Sequence, residues 1–193
     1  PPASFSLIRI FDVRLQYASD PHCAAALLDD GFEHAVRNLL QLRIIDARGI
    51  LMRFLRVAMA QINPTVGDIV GNTALIKTWI KEARRAKADI VAFPELAITG
   101  YPPEDLLFKP RFIEDTHRAL KAVAAEAHGL VVVVGYVARE ATGVTPSEAT
   151  AFSPGGRHDL YNAAAVLCER RLIANYCKRL LPNYRVFDES RHF

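Results

Sequence analysis

The chain has 193 residues, 51% of them hydrophobic, and a formal net charge of +3. This length and composition suit one domain with a sizeable apolar core. Basic residues are scattered among acids without an aromatic-rich basic stripe, which argues against nucleic-acid binding. No apolar run approaches the roughly 20 residues that a membrane-spanning helix requires.

The cysteines are Cys23, Cys168 and Cys177, an odd number without C-x-x-C spacing. This pattern argues against a disulfide framework and against a zinc site, and it fits a reducing compartment. The N-terminus carries several acids and lacks the apolar core of a signal peptide. We therefore expect a cytoplasmic protein with no metal or cofactor bound by these residues.

Residues 1–51 differ from the rest of the sequence. Their clearest pattern is an amphipathic segment over about residues 24–42, and a more regular pattern begins at Met52. Two interpretations stay open: residues 1–51 are upstream sequence translated in frame, or they are a helical extension that packs on the main domain. The predicted division is an extension of unknown role over 1–51 and a main domain over 52–193.

The main domain opens with a predicted strand, turn and helix. The strand covers residues 55–61, and Pro64 and Gly67 form the turn. Asn72 is the predicted N-cap of a helix of about four turns, whose apolar stripe continues to Ala83.

Strands and helices then alternate. A short buried strand covers residues 89–93, and a second helix covers about 112–127, with Gly129 as its C-cap glycine. A β-branched strand follows over 130–134 and ends in Gly135. Alternation of this kind predicts an α/β layer fold with helices packed against a sheet.

The last third of the sequence begins with a loop. Residues 139–159 are rich in Gly, Pro and Ser, which is typical of loops. Two further strands are predicted over 160–167 and 171–176, joined by a tight turn at Glu169–Arg170. Lys178 comes just after the second of these strands.

Two charged residues stand at predicted strand ends, Glu95 and Lys178. A carboxylate behind an apolar run is expected to be partly removed from water, which strengthens it as a proton acceptor. A lysine nearby would hold a developing oxyanion or keep the base ionised. The ordinary alternatives are a helix cap or surface acid for Glu95 and a snorkelling surface lysine for Lys178.

Three more polar residues, Tyr101, Tyr184 and Glu189, lie in the same two blocks of sequence. The tyrosines also fit packing aromatics with a hydrated hydroxyl, and Glu189 also fits a solvated turn. Taken together, the two blocks favour a Glu–Lys hydrolytic site, for which these 193 residues offer no convincing nucleophile.

Four strings of sequence carry a resemblance to a known family. They are AQINPTVGDIVGN (60–72), PELAITGYPPEDLL (94–107), LYNAA (160–164) and KRLLPNYRVFDE (178–189). In this order they resemble the nitrilase-type (carbon-nitrogen hydrolase) glutamine amidohydrolase domain of glutamine-dependent NAD+ synthetases. The resemblance runs from about Phe54 to Phe193 with one gap, and residues 52–193 would then be part of such a domain.

The resemblance implies an αββα sandwich, incomplete at its C-terminus, and a Glu–Lys–Cys triad. Glu95 matches the general base of the family and Lys178 its lysine. Tyr184 matches a glutamine-binding tyrosine, and Tyr101 and Glu189, which lie in matching motifs near the pocket, are also expected to bind the substrate. In such enzymes the cysteine attacks the side-chain amide of glutamine, which gives a thioester and ammonia. The ammonia passes through a tunnel to an ATP-using domain that amidates deamido-NAD+.

The sequence departs from the family pattern at several points. The nucleophile is expected after the Lys178 block; Cys168 precedes it, and Cys177, adjacent on extended backbone, is expected to face the other way. Arg185 stands where the family favours glycine, and the 139–159 loop is longer than usual. No synthetase portion is present, so ATP and Mg²⁺ are expected only for a domain outside this sequence.

The prediction is therefore the glutaminase portion of a glutamine-dependent NAD+ synthetase, with the 193-residue fragment itself inactive. Its expected partners are L-glutamine, and deamido-NAD+ and ATP through the absent domain, in a homo-oligomer of the full-length protein. The alternatives are a stand-alone nitrilase-type amidase or carbamoylase, and a non-catalytic remnant.

Overall fold

The computed structural model describes residues 7–16, 44–45, 51–139, 160–184 and 188–193. Its strands are β1 (Leu7–Gln16), β2 (Ile44–Ile45), β3 (Leu51–Gln61), β4 (Ile90–Ala92), β5 (Val131–Ala138), β6 (Tyr161–Cys168) and β7 (Arg171–Cys177). The α-helices are α1 (Ile69–Arg85) and α2 (Pro110–Ala124), and single 3₁₀ turns cover Glu104–Phe108 and Glu189–Arg191. None of the helices in these ranges has the length and apolarity needed to cross a bilayer.

The strands form one mixed sheet in the order β1-β3-β4-β5-β6-β7, with β2 also paired to β3. The central strands β3, β4 and β5 are parallel, and α1 and α2 connect them. Strands β6 and β7 continue the sheet in antiparallel pairing. The predicted α/β fold class is confirmed.

Both α-helices cover the same face of the sheet. The core there contains the fully buried Ile76 and Ile80 of α1 and, from the sheet, Val91 and Val132. On the opposite face, Met59 is 48% and Tyr176 62% exposed. The described residues thus contribute one helical layer and one sheet, which is part of the predicted sandwich.

The predicted N-cap of the first helix is wrong by four residues. Asp68 caps α1, and its Oδ1 accepts a hydrogen bond of 2.8 Å from the Gly71 N–H. Asn72 is buried inside the helix, where its side chain bonds Thr65 and the carbonyl oxygen of Ile98. Asn72 therefore holds two loops against α1 and is not the residue that starts this helix.

Two glycines also differ from their predicted roles. Helix α2 ends at Ala124 with Ala125 as its C-cap, so Gly129 lies beyond the cap. Strand β5 continues through Gly135 to Ala138 instead of ending at Gly135.

The predicted tight turn at Glu169–Arg170 is confirmed. Both residues have positive φ (45° and 63°), as in hairpin turns that match strand twist.

The N-terminal region contains strands that its sequence pattern did not predict. Strand β1 pairs antiparallel with β3 from Leu7↔Gln61 to Gln16↔Met52. Strand β3 begins at Leu51, four residues before the predicted start and across the predicted domain boundary. The predicted segment at 24–42, most of the 139–159 loop and Arg185 lie outside the described residues, and the division into domains stays a prediction.

Candidate active site

The topology brings several chain segments to one edge of the sheet. Strands β4 and β5 are parallel, so their carboxyl ends lie at the same edge. Since β6 is antiparallel to β5, its first residues lie there, and β7 returns its last residue to the same place. Glu95 after β4, Asn162 near the start of β6 and Lys178 after β7 therefore lie at the same edge of the sheet.

At this edge Lys178 and Glu95 form an ion pair. The Nζ of Lys178 lies 2.7 Å from Oε1 of Glu95. The side-chain amide of Asn162 donates a second hydrogen bond of 2.5 Å to the same oxygen. The predicted convergence of positions 95 and 178 is thus observed.

Lys178 also contacts Glu189, so that its ammonium group lies between two carboxylates. Its Nζ is 2.9 Å from Oε2 and 3.1 Å from Oε1 of Glu189. Burial lowers the pKa of Lys178, but the two carboxylates outweigh this effect and the net shift is upward. The lysine therefore stays a cation at neutral pH.

Glu189 and Tyr101 are joined behind the lysine. The Tyr101 hydroxyl donates a hydrogen bond of 2.8 Å to Oε1 of Glu189. Burial, this hydrogen bond and the nearby carboxylates all raise the pKa of Tyr101, which keeps it a neutral donor. The Glu189 side chain is only 6% exposed, so it is a buried carboxyl group and not part of a solvated turn.

Glu95 and Tyr184 are the most open of the predicted site residues. The Glu95 side chain is 45% exposed, so this carboxylate is partly removed from water, as expected. The apolar run ends at Pro94, and the next side chain leaves the sheet edge towards an open cleft. Tyr184 is 63% exposed and close enough to Tyr101 to influence the titration of Tyr101, but it is not among the residues that line the cleft.

The loop behind Glu95 is held in a close fit. Leu96 is fully buried with a φ of 45°, and its carbonyl accepts hydrogen bonds from Thr99 and Gly100. The Ile98 N–H donates to the carbonyl of Gly135 on β5. A Cβ at Gly135 would lie 2.3 Å from the Leu96 nitrogen, so only glycine allows this approach of loop and strand.

The polar residues border a cleft of ≈ 220 Å³. Its apolar wall includes Phe93, Val133 and Tyr176, and its polar side is formed by Glu95, Asn162 and Lys178. Asn162, Gly135 and Tyr176 were not predicted as site residues. A polar side chain inside the otherwise apolar LYNAA strand was the one sequence signal for Asn162.

The described cysteines do not line this cleft. Cys177 packs on the helix-covered face, opposite to Lys178, as the alternation of an extended backbone predicts. Cys168 is buried at the far end of β6. Burial raises the pKa of both thiols, so neither has the character of an activated nucleophile. No cluster of three or more potential metal ligands occurs in the described ranges.

The fold and this site define a class of protein. Residues 56–193 match the carbon-nitrogen hydrolase family, and the chain belongs to that family. The fold is shared with an amidase from Nesterenkonia sp., whose structure superposes with a TM-score of 0.52 at 21% identity, covering 67% of this chain and 44% of that chain. The nitrilase-type fold prediction is confirmed.

The similarity to one branch of the family is higher. Glutamine-dependent NAD(+) synthetase from Xanthomonas campestris is 48% identical over 140 residues, which are 72% of this chain and 22% of that protein. The structure of the synthetase from Acinetobacter baumannii has a TM-score of 0.58 at 36% identity and covers 71% of this chain and 23% of that chain. The chain therefore spans about a fifth of the length of these relatives.

Proposed function

We propose that this chain is part of the glutaminase domain of a glutamine-dependent NAD+ synthetase. The observation that carries the proposal is the Lys178 ammonium held between Glu95 and Glu189 at the mouth of the cleft. The synthetases named above share more of this sequence than the amidase does, which favours them over a stand-alone amidase. The segment with the nucleophilic cysteine would follow residue 193.

In this proposal Glu95 is the general base. It lines the cleft and is held there by Lys178 and Asn162, so its carboxylate is positioned to meet a thiol brought to the cleft. Lys178 is a cation next to that carboxylate and would stabilise an oxyanion formed beside it. A cysteine thiol brought to the cleft would meet a base and a cation, the two partners it needs.

The reaction follows from these roles. The thiol proton passes to Glu95 while the sulfur bonds to the side-chain carboxamide carbon of glutamine. The C–N bond then breaks as Glu95 returns the proton to the leaving nitrogen, which gives ammonia and a thioester. A water oxygen attacks the thioester carbon, and its proton travels by way of Glu95 to the departing sulfur, so that glutamate and the thiol are released.

The other predicted site residues take different places. The exposed Tyr184 is proposed to contact glutamine. Both oxygens of Glu189 already contact Lys178, and one of them also accepts a hydrogen bond from Tyr101. We therefore assign Glu189 and Tyr101 to positioning the lysine rather than to binding substrate. Ammonia, ATP, Mg²⁺ and deamido-NAD+ would meet in a synthetase domain outside this sequence, in a cytoplasmic homo-oligomer.

The test uses the full-length polypeptide encoded by the gene and measures glutamate formed from glutamine. Glu95→Gln and Lys178→Met are each expected to lower kcat by about 10²- to 10⁴-fold, the usual contribution of a general base. Glu82→Gln and Lys77→Met are matched controls, because Glu82 and Lys77 lie on α1 and form ion pairs away from the cleft.

The controls should stay within about threefold of the wild type, as expected when only a weak surface pair is lost. The 193-residue chain alone should release no ammonia. A wild-type full-length protein that leaves glutamine intact would contradict the proposal. So would ammonia release by the 193-residue chain that survives Cys168→Ala and Cys177→Ala.

A further inference from the structure

Asn162 connects the two charged partners of the site by two different groups. Its side-chain Nδ2 donates to Oε1 of Glu95 at 2.5 Å, and its backbone carbonyl accepts a hydrogen bond of 2.8 Å from the Lys178 N–H. Asn162 is 4% exposed, so its amide is removed from bulk water, whereas the carboxylate that it binds is 45% exposed. A buried amide bonded to a carboxylate is a strong, charge-assisted contact.

Both hydrogen bonds received by Glu95 end on the same oxygen. Asn162 Nδ2 and Lys178 Nζ bind Oε1, at 2.5 and 2.7 Å. Within the described residues, Oε2 receives no such bond. An oxygen that already accepts two donors is a weaker proton acceptor than one that accepts none. The two oxygens of Glu95 are therefore not equivalent as proton acceptors.

We propose that Asn162 is a positioning residue that selects the catalytic oxygen of Glu95. By holding Oε1 together with Lys178, it turns Oε2 towards the reacting thiol, so that Oε2 takes and returns the proton. This inference rests on the proposed glutaminase function. The neutral amide suits the role because it donates a hydrogen bond to a carboxylate without adding charge. Aspartate in the same place would add a negative charge.

A substitution at position 162 removes the side-chain hydrogen bond to Glu95 without removing the backbone hydrogen bond to Lys178. Any substitution at position 162 keeps the backbone carbonyl that binds Lys178 N–H, since that bond belongs to the β6–β7 ladder region. Only the bond to Oε1 is lost. Asn175 on β7 is the matched control: it pairs with Ala165 and its amide contacts Cys177 Sγ at 3.9 Å, away from the cleft.

The experiment compares Asn162→Asp, Asn162→Ala and Asn162→Ser with Asn175→Asp and Asn175→Ala in the full-length protein. The measurements are kcat and KM for glutamine over a pH series, and thermal unfolding. Asn162→Asp places a second carboxylate beside Glu95, so the acid limb of the pH–rate profile should move upward by about one pH unit or more. Asn162→Ala and Asn162→Ser should lower kcat roughly 10- to 100-fold with KM within threefold, because a misoriented base affects the chemical step.

The Asn175 variants should keep the wild-type pH profile even where they lower the unfolding temperature. An unchanged acid limb in Asn162→Asp, or wild-type kcat in folded Asn162→Ala or Asn162→Ser, overturns the inference. If Asn162→Asp does not fold, the kcat and KM values of the other two variants decide. A wild-type protein without glutaminase activity refutes the proposed function itself, so the two failures are distinguishable.

Discussion

Replacing Gly135 with alanine would push a methyl group into the loop that carries Glu95. The added Cβ would lie 2.3 Å from the Leu96 nitrogen, 2.6 Å from the Pro94 oxygen and 2.8 Å from the Glu95 carbonyl carbon. All three are backbone atoms, so no side chain can rotate away. Since ordinary contacts begin near 3.4 Å, the loop must move by roughly 1 Å.

The magnitude follows from this displacement. Overpacking at a buried position costs about 1–3 kcal/mol of unfolding free energy. A shift of about 1 Å in a catalytic group costs roughly 10²-fold in rate. The Gly135→Ala protein is therefore expected to fold with reduced stability and to lose about 99% of its glutamine hydrolysis.

Gly129→Ala is the control. Gly129 has a φ of 69°, and an added Cβ meets nothing within 4 Å. Alanine there is expected to cost about 1–2 kcal/mol from its left-handed backbone, but it leaves the loop of Glu95 in place. Urea unfolding and kcat/KM for glutamine are measured for both variants in the full-length protein.

The two glycine variants should have similar losses of stability and very different activities. If Gly135→Ala retains activity within threefold of the wild type while folded, the close packing does not set the position of Glu95. Equal losses of activity in both variants would show that reduced stability alone explains the effect.

Two further predictions concern hydrogen bonds around the site. Asn72→Ala removes the three hydrogen bonds of a buried side chain and should cost about 2–4 kcal/mol in urea unfolding. This is more than the roughly 1 kcal/mol expected for the cap variant Asp68→Ala, and the reverse order would support Asn72 as the cap. The pKa of Tyr101 is raised in the folded protein, so the neutral hydroxyl stabilises the fold. This contribution to stability is complete below about pH 10, where tyrosine in the unfolded chain ionises, and it is lost as the pH rises further. Tyr101→Phe should therefore unfold more easily at neutral pH, and its stability should fall less steeply above about pH 10; parallel stability curves would contradict this.

The sequence by itself determined the alternation of strands and helices and the placement of Glu95 and Lys178 at strand ends. These features follow from local apolar periodicity and from the rule that parallel strands end at a common edge. The hairpin turn at Glu169–Arg170 was also predictable, since two residues between apolar strands leave few backbone choices.

Only the tertiary structure decided how the site is assembled. Its contacts join residues 67, 83 and 88 positions apart, namely Asn162 with Glu95, Lys178 with Glu95, and Tyr101 with Glu189. No local pattern encodes such pairs, because each depends on sheet register and on backbone approaches like that at Gly135. For the same reason the sequence left open whether Glu189 is a buried site residue or part of a solvated turn: the solvent contact of a side chain is set by which distant segments cover it, and the Glu189 side chain is only 6% exposed.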